Sequence, residues 1–200
     1  GSNGGLAANY TLSGGTHQLT VTQRPLNSLG SKVYDANTNA LASAITLSNL
    51  AGSETLAHSG TASTSSANAG SYTINNLSGI SIDNSSGSAS NYTLTGGTHN
   101  FTINKRIVSL SGGSRQYNGS STAIAADLPT INNLVGSETL TLSGNGVVEN
   151  ANVGDNKPLT NLSGLTLQNG SNGGLAANYT LSGGSSIISI TPRILSLDGS

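Results

Sequence analysis

The sequence predicts an all-β protein made of tandem small domains, each a β-sandwich or an open barrel-like sheet, arranged end to end. A motif that begins Asn-Tyr-Thr-Leu occurs three times at long and nearly equal intervals, which marks tandem copies of one domain. Short runs alternate apolar and polar residues and are broken by clusters of Gly, Asn and Ser, as half-buried strands and turns require. Thr, Val, Ile and Tyr dominate these runs, and all four favour strands. A β-solenoid is the main alternative, but its repeats are much shorter.

The spacing of the motif divides the chain into four segments. We predict that 1–23 is the C-terminal hairpin of a preceding repeat, that 24–105 and 106–192 are full repeats, and that 193–200 begins a following repeat. The full copies share Gly-Ser-Glu-Thr-Leu, Ala-Asn-x-Gly and Leu-Ser-Gly segments in the same order. Because the sequence starts inside the repeated motif, we expect it to be a fragment of a longer chain. A lone hairpin is marginal in water, so 1–23 should pack against the first full repeat or be poorly ordered.

The recurring motif predicts a hairpin that closes each repeat. In its copies at 9–22, 91–104 and 178–191, a Gly-Gly turn separates Tyr from an alternating strand, and Gly-Gly supplies the positive φ values of a two-residue turn. Two further stretches, 39–47 and 121–128, carry Ala runs after Asn or Ser, which are acceptable helix caps. A short helical turn in each of these stretches is therefore an alternative within the all-β fold.

The join between the two full repeats, residues 104–107, contains no Gly or Ser spacer. Flexible linkers are rich in these two residues. The strand that ends one repeat therefore passes almost directly into the next repeat, which predicts a stiff rod rather than a flexible string of domains.

The composition excludes several classes of function. Only 8% of the residues are charged and the formal net charge is -1, so there is no basic footprint for nucleic acid and no polybasic patch for a membrane. No stretch approaches the ~20 apolar residues of a membrane-spanning helix. The absence of Cys excludes disulfides, thiolate metal sites and a Cys nucleophile. Abundant Ser, Thr, Asn and Gly with few Lys is typical of a secreted bacterial surface protein.

The histidines do not recur as a functional residue would. His17 and His99 share a position in the motif, but the third copy has Ser186 there, and His58 has no His counterpart. A catalytic or metal-binding role would need the same residue in each copy that acts alone. We therefore interpret the histidines as exposed strand residues.

Two glutamates do recur, Glu54 and Glu138, both within Gly-Ser-Glu-Thr-Leu. A general acid needs a partner carboxylate or His, and no such partner recurs with them. We interpret both as rim residues that follow a Gly turn. The oxygen-rich stretch 83–87 leaves calcium open as a cofactor because hard cations prefer oxygen ligands, and no other cofactor is expected.

Tyr and Arg also recur at equivalent positions of the repeats. The tyrosines are Tyr10, Tyr92 and Tyr179 in the motif, and Tyr34 and Tyr117 early in each full repeat. They could form ligand-stacking platforms, but a core Tyr whose hydroxyl bonds to a loop backbone is the commoner arrangement. Arg24, Arg106 and Arg193 follow the copies of the motif, and we expect them to pack or hydrogen-bond at the boundary between repeats.

The segments around Tyr34-Asp35-Ala36 and Tyr117-Asn118-Gly119 resemble the Tyr-Asp-Gly signature of YDG-type repeats, and the related MBG repeats begin similarly. The order of the other shared segments is similar to the rest of that pattern. Such repeats occur in large secreted adhesins of Gram-negative bacteria that resemble filamentous haemagglutinin. The resemblance implies a stalk or spacer rather than catalysis. Asp35 and Asn118 both suit turns, so a turn role is expected for this position.

Three classes of function follow from these observations. The leading hypothesis is a monomeric, non-enzymatic stalk of a secreted surface adhesin, of the kind that serves biofilms, whose partners are neighbouring repeats of the same chain. The alternative is that the repeats themselves bind host or biofilm glycans. An enzyme would need converging ionisable groups, and neither copy shows a recurring set.

Overall fold

The computed structural model describes residues 6–16 and 18–196 and confirms the all-β class. Two successive sets of nine strands form two repeats. The first repeat contains β1 (Arg24–Pro25), β2 (Asn27–Val33), β3 (Asn39–Leu41), β4 (Ile45–Ser48), β5 (Leu56–Ser63), β6 (Gly70–Thr73), β7 (Ile80–Asn84), β8 (Tyr92–Thr93) and β9 (His99–Asn104). The second repeat contains β10 (Arg106–Ile107), β11 (Ser109–Gln116), β12 (Thr122–Ile124), β13 (Thr130–Asn132), β14 (Leu140–Val148), β15 (Gly154–Asn161), β16 (Leu165–Asn169), β17 (Tyr179–Thr180) and β18 (Ser186–Thr191).

Short 3-10 turns interrupt the strands. Those at Ala42–Ala44 and Ala125–Asp127 lie within the two Ala-rich stretches and confirm the helical-turn alternative. Two more, at Ala89–Asn91 and Ala176–Asn178, directly precede the Tyr of the motif and had no sequence prediction. Over the described ranges, no helix has both the length and the apolar character to cross a membrane.

The first repeat is a small sandwich. One sheet has the strand order β4-β2-β9-β6, the other has the order β3-β5-β7, and β1 pairs separately with β8. Ala40, Ala62 and Ile80 of the three-stranded sheet are buried in one core with Phe101 and Ile103 of β9. Alternation along β9 points every second side chain into this core, as a strand with one covered face requires.

The second repeat closes its sheets into one curled sheet, because β14 pairs with β15 as well as with β12 and β16. The strand order is β12-β14-β15-β18-β11-β13, and β10 pairs separately with β17. Leu110, Leu128 and Val148 are buried with Ile188 and Ile190 of β18. The same inward alternation along β18 and β9 shows that both copies build their core on the strand after the Gly-Gly turn.

The recurring motif does not form a hairpin, which corrects the sequence prediction. β8 pairs in parallel with β1 and β9 in parallel with β2, and the second repeat pairs β17 with β10 and β18 with β11 in the same way. Gly96 has a φ of +83°, and a Cβ on Gly97 would lie 1.6 Å from the carbonyl oxygen of Leu26. The Gly-Gly pair therefore lets the chain cross closely over the first strands of the repeat instead of reversing it.

The first copy of the motif has no strand in its described residues, 9–16 and 18–22, so the predicted hairpin is absent there as well. Its apolar side chains Leu12, Leu19 and Val21 are exposed. Gln23 Nε2 donates a hydrogen bond to the carbonyl oxygen of Ser90 at 3.1 Å. His17 lies outside the described residues.

Candidate functional site

The two repeats meet through a pair of buried tyrosines. Tyr34 follows β2 of the first repeat and Tyr179 lies on β17 of the second, with only 3% and 2% of their surfaces exposed. Their ring centroids are 5.4 Å apart and the ring planes cross at 77°, an edge-to-face arrangement that is favourable between aromatic rings. Both side chains contribute to an apolar contact across the boundary between repeats.

Glu138 joins the two tyrosines. Its Oε1 accepts a hydrogen bond from the Tyr34 hydroxyl at 2.7 Å, and its Oε2 accepts one from the Tyr179 hydroxyl at 2.7 Å. The Tyr179 hydroxyl also accepts a hydrogen bond from the Val135 backbone N–H at 3.0 Å. Hydrogen bonds to a charged acceptor are stronger than neutral ones. The carboxylate of one repeat therefore holds a tyrosine from each side of the boundary.

This environment changes the acidity of both phenols. Burial, with the hydrogen bond to Glu138 as the next cause, raises the pKa of Tyr34 to about 12. The same two causes raise the pKa of Tyr179 to about 12. The neutral, hydrogen-bond-donating form of each phenol is thus favoured in the folded chain.

A second polar contact crosses the boundary beside the tyrosines. The buried Asn178 accepts a hydrogen bond from the Ala69 N–H at 2.8 Å through Oδ1 and donates one to the Asn68 Oδ1 at 3.1 Å. The loop that carries Asn68 is held from its own side, because the Tyr72 hydroxyl donates to the Asn68 carbonyl oxygen at 2.7 Å. We call the six residues that meet here, Tyr34, Asn68, Ala69, Glu138, Asn178 and Tyr179, the junction.

Arg106 lies where the chain passes from one repeat to the other. Its Nε donates to the Asn133 carbonyl oxygen at 2.8 Å and its Nη2 to the Asn133 Oδ1 at 2.7 Å, while Nη1 lies 3.5 Å from the Tyr34 carbonyl oxygen. Arg24 makes the corresponding contact with Asn49 Oδ1 at 2.9 Å. Arg193 is exposed. Arg106 thus reaches across the boundary while organising a loop of its own repeat.

The turn at Tyr34-Asp35-Ala36, which resembles the Tyr-Asp-Gly signature, presents Tyr34 to the junction. Asp35 Oδ1 lies 2.8 Å from Lys32 Nζ and accepts the Asn37 N–H at 3.2 Å, and Ala36 has a φ of +61°. Although burial acts in the other direction, the hydrogen bond and charge of Lys32 lower the pKa of Asp35.

The second repeat builds the same turn with different residues. Arg115 donates to Asn118 Oδ1, Asn118 Oδ1 also accepts the Ser120 N–H at 3.0 Å, and Gly119 has a φ of +78°. Asp35 and Asn118 are therefore turn residues.

The two remaining tyrosines of the sequence prediction are not in the core. Tyr10 is 76% exposed because the described residues around it pair with neither repeat, and Tyr117 is 41% exposed because no described residue covers it as Tyr179 covers Tyr34. Tyr92, in contrast, is buried; its hydroxyl donates to Glu54 Oε2 and accepts the Ala51 N–H at 3.0 Å. The hydrogen bond to Glu54 raises the pKa of Tyr92.

The histidine interpretation is wrong for His99, which is only 5% exposed. Its Nε2 donates to the Leu94 carbonyl oxygen at 2.8 Å, which leaves Nδ1 to accept the Ser28 hydroxyl at 2.9 Å. His58 is half-buried, with Nε2 between the carbonyl oxygens of Ala42 and Ile45. Both rings satisfy backbone acceptors inside the first repeat.

Glu54 and Glu138 are both half-buried rather than rim residues. Glu54 accepts the Tyr92 hydroxyl, and both oxygens of Glu138 accept phenols. Among residues 6–16 and 18–196, no three His, Asp or Glu side chains converge on a metal-sized site. In the oxygen-rich stretch, Ser86 Oγ accepts the Thr55 N–H at 2.8 Å, and calcium binding there stays a prediction.

The role of Glu138 was missed from the sequence because its partner Tyr34 is 104 residues away and belongs to the other repeat. A signal did exist, since Glu recurs in both copies together with both tyrosines.

Comparison with known families finds one domain model that matches the chain at two places. The family model for the YDG domain matches the chain twice, at residues 16–99 and 104–186. Neither the comparison with curated proteins nor the comparison with solved structures finds a match.

Proposed function

The chain belongs to the YDG domain family, and from this premise we propose that its repeats are stalk units of a secreted bacterial surface adhesin. In this role the repeats project a binding region away from the cell and do not react with a substrate. The observation that carries the proposal is the Tyr34–Glu138–Tyr179 contact, in which one carboxylate of the second repeat binds a buried tyrosine from each repeat.

The junction supports the role of a spacer because it restrains the direction of the second repeat. A single residue, Lys105, separates β9 from β10, so the linker is short but still contains rotatable bonds. The tyrosine contact and the Asn178 contact act at two separate points of the boundary. Two points of attachment, in addition to the covalent link, oppose both bending and rotation.

The surface composition is consistent with a location outside the cell. Few charges and many Ser, Thr and Asn side chains keep an extended surface hydrated with little non-specific ionic attraction. An antibody raised against this chain should label intact cells of the source organism. Labelling that requires cell lysis would contradict the proposed location.

The restraint at the junction can be tested by small-angle X-ray scattering of the whole chain. We expect the wild type to scatter as one extended, rigid particle. Glu138→Gln removes the carboxylate that accepts both phenols and should broaden the distribution of distances between the repeats. Glu54→Gln is the matched control, because the Glu54 carboxylate accepts the hydroxyl of Tyr92 within the first repeat, and it should leave the scattering unchanged. A wild type that scatters as two flexibly linked domains would refute the spacer role.

Glycan binding is a second candidate, favoured by clefts at corresponding places in the two repeats. One cleft of about 460 Å³ lies beside Leu77 and Leu94, and one of about 510 Å³ lies beside Leu162 and Leu181. Their volumes are within the range of small-ligand sites. A glycan array probed with the chain tests this candidate. Binding that disappears when Leu94 and Leu181 are replaced by Arg would favour it over the spacer role.

A further inference from the structure

The outer faces of the two repeats carry residues that correspond to the two sides of the junction. The proximal face of the first repeat consists of Glu54, Asn91 and Tyr92, which correspond to Glu138, Asn178 and Tyr179. The distal face of the second repeat consists of Tyr117, Asn152 and Val153, which correspond to Tyr34, Asn68 and Ala69.

The proximal face already has the geometry of its counterpart in the junction. The Tyr92 hydroxyl binds Glu54 and the Ala51 N–H at 3.0 Å, as the Tyr179 hydroxyl binds Glu138 and an N–H at 3.0 Å. The loop beneath it is also the same: Asn49 has a φ of +67° and donates to the Pro25 carbonyl oxygen at 2.7 Å. Asn133 has a φ of +70° and donates to the Ile107 carbonyl oxygen at 2.8 Å.

The distal face is also arranged like its counterpart. The Tyr117 N–H donates to the Thr191 carbonyl oxygen at 2.9 Å, as the Tyr34 N–H donates to that of Asn104 at 2.9 Å. The Asn152 carbonyl oxygen is held from its own repeat by Lys157 Nζ at 2.9 Å, in the way that Tyr72 holds Asn68. The difference is exposure, because Tyr117 and Val153 are 41% and 50% exposed.

The two faces are chemically complementary. The distal face offers a phenol donor and the backbone N–H of an Asn-Val loop, and the proximal face offers a carboxylate and an Asn side chain. In the junction, the same groups pair directly between repeats. A neighbour with a proximal face of this kind would cover Tyr117 as the second repeat covers Tyr34.

We propose that the partner of both end faces is a further copy of a YDG repeat. A Tyr–Glu–Tyr contact and an Asn–loop contact then form at every boundary in a longer tandem array. This inference rests on the proposed spacer function and specifies what holds successive repeats in line. Other occupants, such as an unrelated protein or a glycan, would not reproduce the pairing of Tyr117 with Glu54.

A duplicated chain tests the inference with the protein intact. Residues 24–192 are appended after Pro192, which places Thr191-Pro192-Arg24 at the new boundary with the same spacing as Asn104-Lys105-Arg106. The wild-type chain has no Cys, so pairs of Cys report proximity without background. The reporting pair is Asn152→Cys in the first copy with Asn91→Cys in the second copy. The reference pair is Asn68→Cys with Asn178→Cys, whose side chains are hydrogen-bonded in the junction.

A short bismaleimide cross-linker should join the reporting pair as efficiently as the reference pair. Tyr117→Ala is then added to the first copy, and it should not affect folding because Tyr117 is exposed in the wild-type chain. This change should slow the cross-linking at the new boundary by tenfold or more. Cross-linking that is slow in both forms, or equally fast with and without Tyr117, would overturn the inference. If the reference pair cross-links efficiently in the same experiment, the proposed spacer function remains supported. If the reference pair also cross-links slowly, the result contradicts the spacer function.

Discussion

Tyr34 and Tyr117 occupy the same position in two copies of one domain, yet their surroundings are opposite. Each follows the first long strand of its repeat and is presented by a turn with an Asx hydrogen bond and a positive φ. Tyr34 is 3% exposed and donates to Glu138, whereas Tyr117 is 41% exposed. The turn that places the side chain belongs to the repeat, but its burial depends on the neighbouring repeat. The signature Tyr of the first repeat, Tyr34, is therefore a contact residue between the two repeats.

Replacing each of these tyrosines should give the largest difference in the free energy of unfolding between the two positions. Tyr34→Ala deletes a buried aromatic side chain and leaves one oxygen of Glu138 without its donor, so it should lower the free energy of unfolding by about 3 kcal/mol. Tyr117→Ala should change it by less than about 0.5 kcal/mol, as is usual for surface residues. Urea unfolding of both variants measures the difference. Equal losses would mean that the junction contributes nothing beyond the turn.

The next largest effect on stability is expected at a pair of buried side chains inside each repeat. His99 faces Ser28 across β9 and β2, and the corresponding pair in the second repeat is Ser186 and Leu110. His99→Ser alone should cost about 2 kcal/mol, since it leaves a cavity and unpaired polar groups.

The double variant Ser28→Leu with His99→Ser copies the second repeat and should recover at least half of that loss. Thermal and urea unfolding provide the measurement. If the double variant is less stable than His99→Ser, the two pairs are not interchangeable solutions to one packing problem.

Alkaline pH should weaken the junction through its phenols. Their pKa in the folded chain is about 12, against about 10 for an unfolded Tyr. The stabilisation that these two phenols contribute is fully present below pH 10 and is lost as the pH rises through 12, because the folded chain favours the neutral form of each phenol.

Tyr34→Phe should reduce this loss, and Tyr117→Phe should not. Urea unfolding between pH 8 and pH 12 gives the comparison. A pH profile that Tyr34→Phe leaves unaltered would assign the loss to other groups.

The smallest effect concerns the turn itself. Ala36 has a φ of +61° where the second repeat has Gly119 at +78°, and a Cβ on Gly119 would meet no atom within 4 Å. Ala is strained at a positive φ, whereas Gly loses more backbone entropy on folding, and the two effects partly cancel. The net result should be that Ala36→Gly stabilises the chain by roughly 0.5 kcal/mol and that Gly119→Ala destabilises it by a similar amount. Paired thermal unfolding curves test the sign. Two changes of the same sign would show that the turns are not equivalent.

The sequence predicted which segments form strands better than it predicted which strands pair with each other. Alternation of apolar and polar residues identifies a strand such as β9, but it does not identify the partner of that strand. The partner, β2, lies far back in the chain and pairs in parallel. The Gly-Gly pair supported a hairpin because turns are its commonest use, whereas here the second Gly is needed for a close approach of two backbone segments.

The candidate site was predictable only in part. Comparing copies identified the recurring tyrosines and glutamates, but not that Tyr34 and Glu138 meet, since each copy was considered as a separate domain. The same comparison failed for His99, because a change to Ser186 suggested exposure. The position remains buried in both repeats because its neighbour changes in compensation from Ser28 to Leu110.

The parallel pairing of β2 with β9 determines how a repeat bears tension. The chain comes into this pair at the start of β2 and leaves it at the end of β9, and the register runs from Ser28 beside His99 to Val33 beside Asn104. A pull on the two ends of the repeat therefore draws these strands past each other lengthwise. The hydrogen bonds between them are loaded in shear, all at once, and do not open one after another as in a hairpin pulled from its free ends. The strands that begin and end each repeat act as its mechanical clamp.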